Sequence, residues 1–312
     1  MTLAENNYFL FPGQGSQFAG MGKDLYDFFD VARSMYEQAN HILGFKLTEL
    51  CFNGSDEDLK STDITQPAIF THSLIVFTLL KQHGISPTAV AGHSLGEYSA
   101  CAAAGVFDFQ TGLGLVRERS LLMKNSNTET GSMAAIIGLP IGTVESICKQ
   151  VSGDGYAGVA NYNSPEQVVI TGNAGNIEQA CEQALALDAK RVIPLQVSGA
   201  FHSPLMQPAA EKFIHILKNT SFQDAQLPVY SNVTADASTD KDEMKNRLQH
   251  QLTHPVLWTQ TIENMIANGA DAFYEIGPGK VLSGLLRRIN RKYKAVPIGT
   301  AEHVSKHAGD SN

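Results

Sequence analysis

The chain has 312 residues, of which 43% are hydrophobic and 17% charged. This length allows two domains of about 150 residues, or one large α/β domain with an insertion, and the apolar share argues against disorder. Lys and Arg number 23 against 31 Asp and Glu, a net charge of −8, which excludes general binding to nucleic acid or anionic lipid and leaves room only for a local basic patch.

In chain order, residues 8–11 form a short apolar run ended by Pro12-Gly13, which reads as a buried strand feeding a glycine-rich turn. Residues 25–43 have helical periodicity, with Gly44 as the stop. A second helix begins at Asp63, runs through the apolar stretch 69–80 and ends at Gly84. Residues 88–92 form another short buried strand, which enters His93-Ser94-Leu95-Gly96-Glu97 and then an alanine-rich helix. Strand, tight glycine turn and helix is the repeating unit of an α/β sheet.

Composition shifts after Met123, and residues 124–131 are polar and loop-like. Strands are expected at 132–139, 156–162, 167–171 and 191–197, with helices at 141–151 and 177–187. The order β-α-β-β-α-β fits a ferredoxin-like module of about 70 residues. Beyond it come a helix (204–218), a strand (228–232), a helix, a strand (272–276) and a last helix from Val281. The expected organisation is a core of residues 1–128 and 198–300, a small subdomain at 129–197, and a polar tail at 301–312 that frays.

The four cysteines, at 51, 101, 148 and 181, form no CxxC pair and read as buried free thiols in a reducing compartment. The N-terminus lacks a basic segment followed by a long apolar one, and no apolar run reaches about 18 residues. A cytoplasmic protein with no membrane span is expected.

Gly92-His93-Ser94-Leu95-Gly96 matches G-x-S-x-G, the nucleophile elbow, in its required strand-to-helix setting. There a strained turn exposes the serine hydroxyl, and the N–H groups at the helix start face a developing oxyanion. The plainer alternative is an ordinary glycine turn. Gly13-Gln14-Gly15 hints at a phosphate loop, but Phe18 stands where G-x-G-x-x-G needs its third glycine, so a dinucleotide site is not expected. A loop offering the Gln14 N–H as a second oxyanion donor beside that of Leu95 suits the residues better.

Five segments together, FPGQGSQ (11–17), GHSLGEYSA (92–100), NYNSPEQVVITG (161–172), GAFHSPLM (199–206) and QLTHPVLWTQT (251–261), resemble the malonyl-CoA:acyl carrier protein transacylases of fatty acid synthesis and the related acyltransferases of polyketide synthesis. The resemblance runs from about Tyr8 to Ile298. It implies an α/β-hydrolase-like core carrying an inserted ferredoxin-like small subdomain. It also implies malonyl transfer by a ping-pong mechanism, malonyl-CoA and acyl carrier protein as partners, a monomeric state, and no metal or cofactor beyond the coenzyme A thioester and the carrier's phosphopantetheine.

Carried over by motif, the nucleophile falls on Ser94 and the general base on His202. A backbone carbonyl that orients the base falls on Gln251, and His93 lines the site. The resemblance selects Arg119 over its neighbour Arg117, through alignment at Met123, as the cation that grips the free malonyl carboxylate. Ser120 departs from the glycine that many members carry there. Phe201 implies crowding of an α-methyl group, which favours malonyl over methylmalonyl. Asn161 and Asn163 either hydrogen-bond near the site or shape a turn. The segment from Lys280 to Lys294 carries six basic residues and no acid. It is either a solvated face or, through Arg287, Arg288 and Lys292, a docking surface for an acidic carrier. The rival functions are a trans-acting polyketide acyltransferase, a serine esterase or thioesterase, and a non-catalytic acyl-carrier binder.

Overall fold

The computed structural model describes residues 6–126, 131–197 and 199–309. The expected start of the small subdomain, at residue 129, lies outside the described residues. In chain order the elements are β1 (Asn7–Phe11), α1 (Lys23–Phe28), α2 (Asp30–Leu43), α3 (Leu47–Asn53), α4 (Thr62–Gln82), β2 (Ala89–Gly92), α5 (Gly96–Ala103) and α6 (Phe109–Lys124). There follow β3 (Gly131–Ile137), α7 (Ile141–Val151), β4 (Ala157–Ser164), β5 (Gln167–Asn173), α8 (Ala174–Ala186) and β6 (Arg191–Pro194). The chain then forms α9 (Gln207–Asn219), β7 (Val229–Tyr230), β8 (Ala237–Ser238), α10 (Lys241–His250), α11 (Trp258–Ala267), β9 (Ala272–Ile276), α12 (Val281–Ile289), β10 (Ala295–Ile298) and α13 (Ala301–Gly309).

Two sheets organise the molecule. The larger runs β10-β9-β1-β2-β7-β8, parallel throughout except for β8, which is antiparallel to β7. Side chains alternate across a strand, and β1 shows the result. Phe9 and Phe11 enter the core under α2, α4, α5 and α6, while Tyr8 and Leu10 enter a second core with Trp258, Ile262, Leu282 and Leu286 from α11 and α12. Both faces are covered, so the strand reads as continuous apolar sequence rather than as alternation. The smaller sheet, β4-β5-β3-β6, is antiparallel, and a third core lies between it and α7 and α8.

The two units are stitched at one edge. Tyr162 N–H donates to the Val256 carbonyl at 2.9 Å, and Val256 N–H donates to the Ala160 carbonyl at 2.8 Å. The Thr259 hydroxyl adds a bond to the Tyr162 carbonyl at 2.9 Å. The small sheet is therefore tied through β4 to the segment that leads into α11.

Three expectations are corrected. The helix expected over 25–43 is two helices, because Phe29 is extended (φ −117°, ψ 124°) and Asp30 opens a new first turn, where a carboxylate favours the helix N-terminus. The single helix expected between 232 and 272 is likewise two, α10 and α11. The tail from residue 301 is helical through Gly309 rather than frayed. Val304 is wholly buried in the main core, and Ala301 N–H donates to the Asp24 carboxylate at 2.7 Å. Two apolar residues one turn apart suffice to seat it, a signal that its polar composition masks. The helix α4 is long and apolar enough to cross a membrane, yet residues 65–77 are all buried in the core. Cys51, Cys101 and Cys148 are buried free thiols, and Cys181 is partly exposed.

Candidate active site

Strand β2 ends at Gly92 and α5 begins at Gly96, so Ser94 occupies the turn between them with φ 51°. Non-glycine residues rarely adopt this left-handed backbone, and it persists only where the surroundings enforce it. The flanking glycines are part of that enforcement. A Cβ on Gly92 would sit 1.9 Å from the Gly96 carbonyl, and one on Gly96 would sit 2.0 Å from the Phe11 carbonyl oxygen. Asn232, just after β7, completes the clamp. Its Oδ1 accepts the Ser94 N–H at 2.6 Å and its Nδ2 donates to the Gly92 carbonyl at 2.6 Å.

His202 faces this turn from the segment before α9, also in left-handed backbone (φ 57°). Its Nε2 lies 2.8 Å from Ser94 Oγ. Its Nδ1 lies 2.9 Å from the Gln251 carbonyl and 3.3 Å from the His254 carbonyl. Both of those partners only accept, so the ring proton resides on Nδ1 and Nε2 is free to take a proton from the serine. Burial and then the nearby Arg119 charge push the imidazole down to about 3, so the ring is neutral and basic in form at physiological pH.

Arg119 is fully buried. One terminal nitrogen donates to Gln66 Oε1 at 2.6 Å, and the other donates to Ser94 Oγ and Gln251 Oε1, both at 3.0 Å. Its guanidinium carbon lies 5.3 Å from the Tyr98 ring centroid, a cation–π contact. Arg117, two positions earlier on α6, is exposed and its side chain reaches the Ile42 carbonyl. Helical geometry thus turns one arginine inward and the other out.

These groups open onto a cavity of about 120 Å³ lined by both units. Gln14, Leu95, Arg119 and Phe201 come from the larger unit, and Met133, Asn161 and Leu195 from the smaller. Among the described residues, neither the Gln14 N–H nor the Leu95 N–H has an acceptor, which leaves both donors available. His93 Nε2 pairs with Asn163 Oδ1 at 2.8 Å, and burial holds the His93 ring below the usual imidazole range. Asn163 therefore bonds a residue beside Ser94, while Asn161 contributes to the cavity wall.

The basic residues of α12 and the turn after it are not part of this cavity. Arg287, Arg288 and Lys292 are exposed. Arg288 bonds the Gln167 side chain of the small unit, so the basic surface borders both units.

A profile described as the acyl transferase domain matches residues 8–308. The chain belongs to the acyl transferase family. A malonyl CoA-acyl carrier protein transacylase of Bacillus subtilis (strain 168) is 45% identical over 298 residues, covering 95% of this chain and 94% of that protein. The crystal structure of an acyl-carrier-protein S-malonyltransferase from Bartonella henselae is 40% identical with a TM-score of 0.94, covering 98% of this chain and 99% of the other. A malonyl-transacylase solved in complex with its type II PKS acyl-carrier protein has the same TM-score at 37% identity, covering 98% and 100%.

Three side chains of this acyl transferase site escaped sequence reasoning: Gln66, Asn232 and Glu97. Asn232 follows a recognised strand, and Glu97 follows the elbow directly. Neither position carries a local pattern that reveals a partner more than 130 residues away.

Proposed function

We propose that the chain transfers malonyl from malonyl-CoA to the phosphopantetheine thiol of acyl carrier protein, through a malonyl ester on Ser94, in the service of fatty acid synthesis. The observation that carries this reading is the buried Arg119 guanidinium, held beside Ser94 Oγ with no ion-pair partner among the described residues. The Glu97 carboxylate reaches it only through the Gln251 amide that bonds both; a buried cation without a direct partner is costly, and the free carboxylate of a malonyl thioester supplies one. Only two carbon–carbon bonds separate that carboxylate from the thioester carbonyl, which matches a cation adjacent to the nucleophile.

In the first half-reaction His202 Nε2 takes the Ser94 proton as Oγ attacks the thioester carbonyl. The Gln14 and Leu95 N–H groups hold the oxyanion. Collapse breaks the carbon–sulfur bond, and coenzyme A leaves as a thiol with the proton from His202. In the second half-reaction the carrier's thiol gives its proton to His202 and attacks the ester, and Ser94 recovers a proton as it leaves. The Gln251 carbonyl keeps the Nδ1 proton in place in both directions. His93, fixed by Asn163, and Asn161 shape the wall. Phe201 crowds an α-substituent.

The parallel sheet with its elbow supports an α/β-hydrolase-like core, here residues 1–128 and 198–300. The small unit's β-α-β-β-α-β order supports a ferredoxin-like subdomain at 129–197. The α12 surface offers the acidic carrier its docking site through Arg287, Arg288 and Lys292. The enzyme is read as a cytoplasmic monomer without a metal or resident cofactor. The resemblance to a transacylase bound to a type II PKS carrier favours a second reading of the pathway, supply of malonyl to polyketide synthesis.

The test is intact-protein mass spectrometry after mixing with malonyl-CoA. A malonyl adduct is expected on the wild type and none on Ser94→Ala. Absence of the first or presence of the second overturns the mechanism. Release of free malonate at the same rate with and without carrier would instead indicate a thioesterase.

A further inference from the structure

Glu97, on the first turn of α5, is 3% exposed, and the transfer chemistry above gives it no task. Its two oxygens bind two different segments. One accepts the Gln251 side-chain Nε2–H at 2.5 Å, and the other accepts the Asn232 backbone N–H at 3.2 Å.

Both partners hold the reacting groups directly. Asn232 clamps the Ser94 and Gly92 backbone. The Gln251 side chain takes a bond from Arg119 and gives one to the Ser94 carbonyl at 3.0 Å, while its main-chain carbonyl orients His202. Nucleophile, base and cation come from the turn between β2 and α5, from the segment before α9, and from α6, which are remote in sequence. Glu97 contacts both of the residues that join them.

We propose that Glu97 is a positioning residue, whose ionised carboxylate locks Gln251 and Asn232 together and so sets the geometry of Ser94, His202 and Arg119 at once. This rests on the reading of Ser94 and His202 as nucleophile and base. An ionised carboxylate only accepts, which is what two donors from two segments require. A neutral acid or an amide presents one donor to a site that needs two acceptors, and one buried group then loses its partner.

The state of Glu97 is balanced near neutrality. Burial raises its carboxyl to about 7, against the bonds from Gln251, Asn232 and Ser231 and the charge of Arg119. The titratable groups around it are Arg119 from α6, Tyr98 and Cys101 from α5 itself, and His202 beyond Gln251. From β7, Tyr230 packs with Tyr8 on the other face of the sheet, and from α4, His72 bonds the Gly299 carbonyl. The acceptor form is present above about pH 7 and lost below it. His202, pushed to about 3, does not change charge in that window.

The test measures labelling of Ser94 by a neutral alkyl fluorophosphonate, which loses fluoride as Oγ bonds phosphorus and needs no grip from Arg119. Wild type is expected to label more slowly as pH falls through about 7. Glu97→Gln is expected to label about ten- to a hundredfold more slowly at pH 8 and to lose that pH dependence between 5 and 8. Gln251→Leu, which keeps the main-chain carbonyl, is expected to slow labelling similarly, and the double variant is expected to be no slower than the worse single one. These rates are expressed per folded molecule, measured by thermal melting. Wild-type rates in both single variants, additive losses in the double, or an unchanged pH dependence in Glu97→Gln overturns the proposal while leaving the nucleophile standing. A wild type that does not label at Ser94 overturns both.

Discussion

Arg119 and Ser94 are hydrogen-bonded to each other: the guanidinium Nη2 donates to the serine Oγ at 3.0 Å, and the same Oγ lies 2.8 Å from His202 Nε2. In the proposed mechanism, the group that recognises the substrate's carboxylate and the group that attacks its carbonyl are thus in contact before substrate arrives. A malonyl carboxylate entering here takes the guanidinium bond for itself and frees Oγ to share its proton with His202 alone. The same pairing offsets the positive charge that depresses His202, which makes the base stronger once the correct acyl group is bound.

Arg119→Ala removes this selection. The kcat/KM for malonyl-CoA is expected to fall by at least about a hundredfold, with a smaller fall for acetyl-CoA, so that the preference between them narrows. Arg119→Lys keeps the charge but cannot span Gln66 and Gln251, and is expected to recover only part of the loss. Steady-state assays with both thioesters check this.

His202→Ala leaves Ser94 in place without a base. Ester formation from malonyl-CoA is expected to slow by about a thousandfold or more, measured by stopped-flow release of coenzyme A. Adding imidazole is expected to restore a measurable part.

Phe201→Ser enlarges the cavity wall beside His202. Competition between malonyl-CoA and methylmalonyl-CoA is expected to shift toward the latter by about ten- to a hundredfold. The ratio of the two acyl-carrier products by mass spectrometry reports it.

His72 on α4 gives a stability prediction. It is wholly buried, its Nε2 lies 2.9 Å from the Gly299 carbonyl, and burial lowers it from 6.5 to about 4. Above pH 6.5 the ring is neutral in both the folded and unfolded chain. Between 6.5 and 4 the unfolded chain takes up a proton that the folded one refuses, so stability falls with falling pH, by roughly 3 kcal/mol in all. Glu97 and Glu275, raised by burial, act with the opposite sign. The readout is therefore the difference between wild type and His72→Gln. The variant is expected to show a shallower loss of denaturation free energy from pH 7 to pH 4 in urea titrations.

Charge reversal at Arg287 and Arg288 is expected to raise the KM for acyl carrier protein by about tenfold at low salt, with the difference shrinking as screening increases. An unchanged KM at low salt would remove α12 from the docking surface.

The sequence by itself determined the elements whose cause is local. Continuous apolar runs identified β1 and β2, the spacing of glycines around Ser94 identified the elbow, and the strand-helix order identified two units. These patterns depend on neighbours within a few residues, where backbone sterics and hydrophobic period act directly. Very short and edge elements, such as β8 and β10 with its Pro297, had too little pattern to be seen, and α13 hid its two core residues in polar surroundings.

The pairing of His202 with the Gln251 carbonyl was reached only through family resemblance. Resemblance likewise favours Arg119 over Arg117, and the fold supplies the physical cause by turning one face of α6 toward the cavity. The contacts of Gln66, Glu97 and Asn232 had no signal in the chain at all. Each is a side-chain hydrogen bond to a partner 53 to 154 positions away, and for Asn232 that partner is a backbone carbonyl. Such bonds exist only because the larger unit pairs β2 with β7 and packs α4, α5 and α6 together, and no periodicity along one strand or helix records which distant partner will arrive.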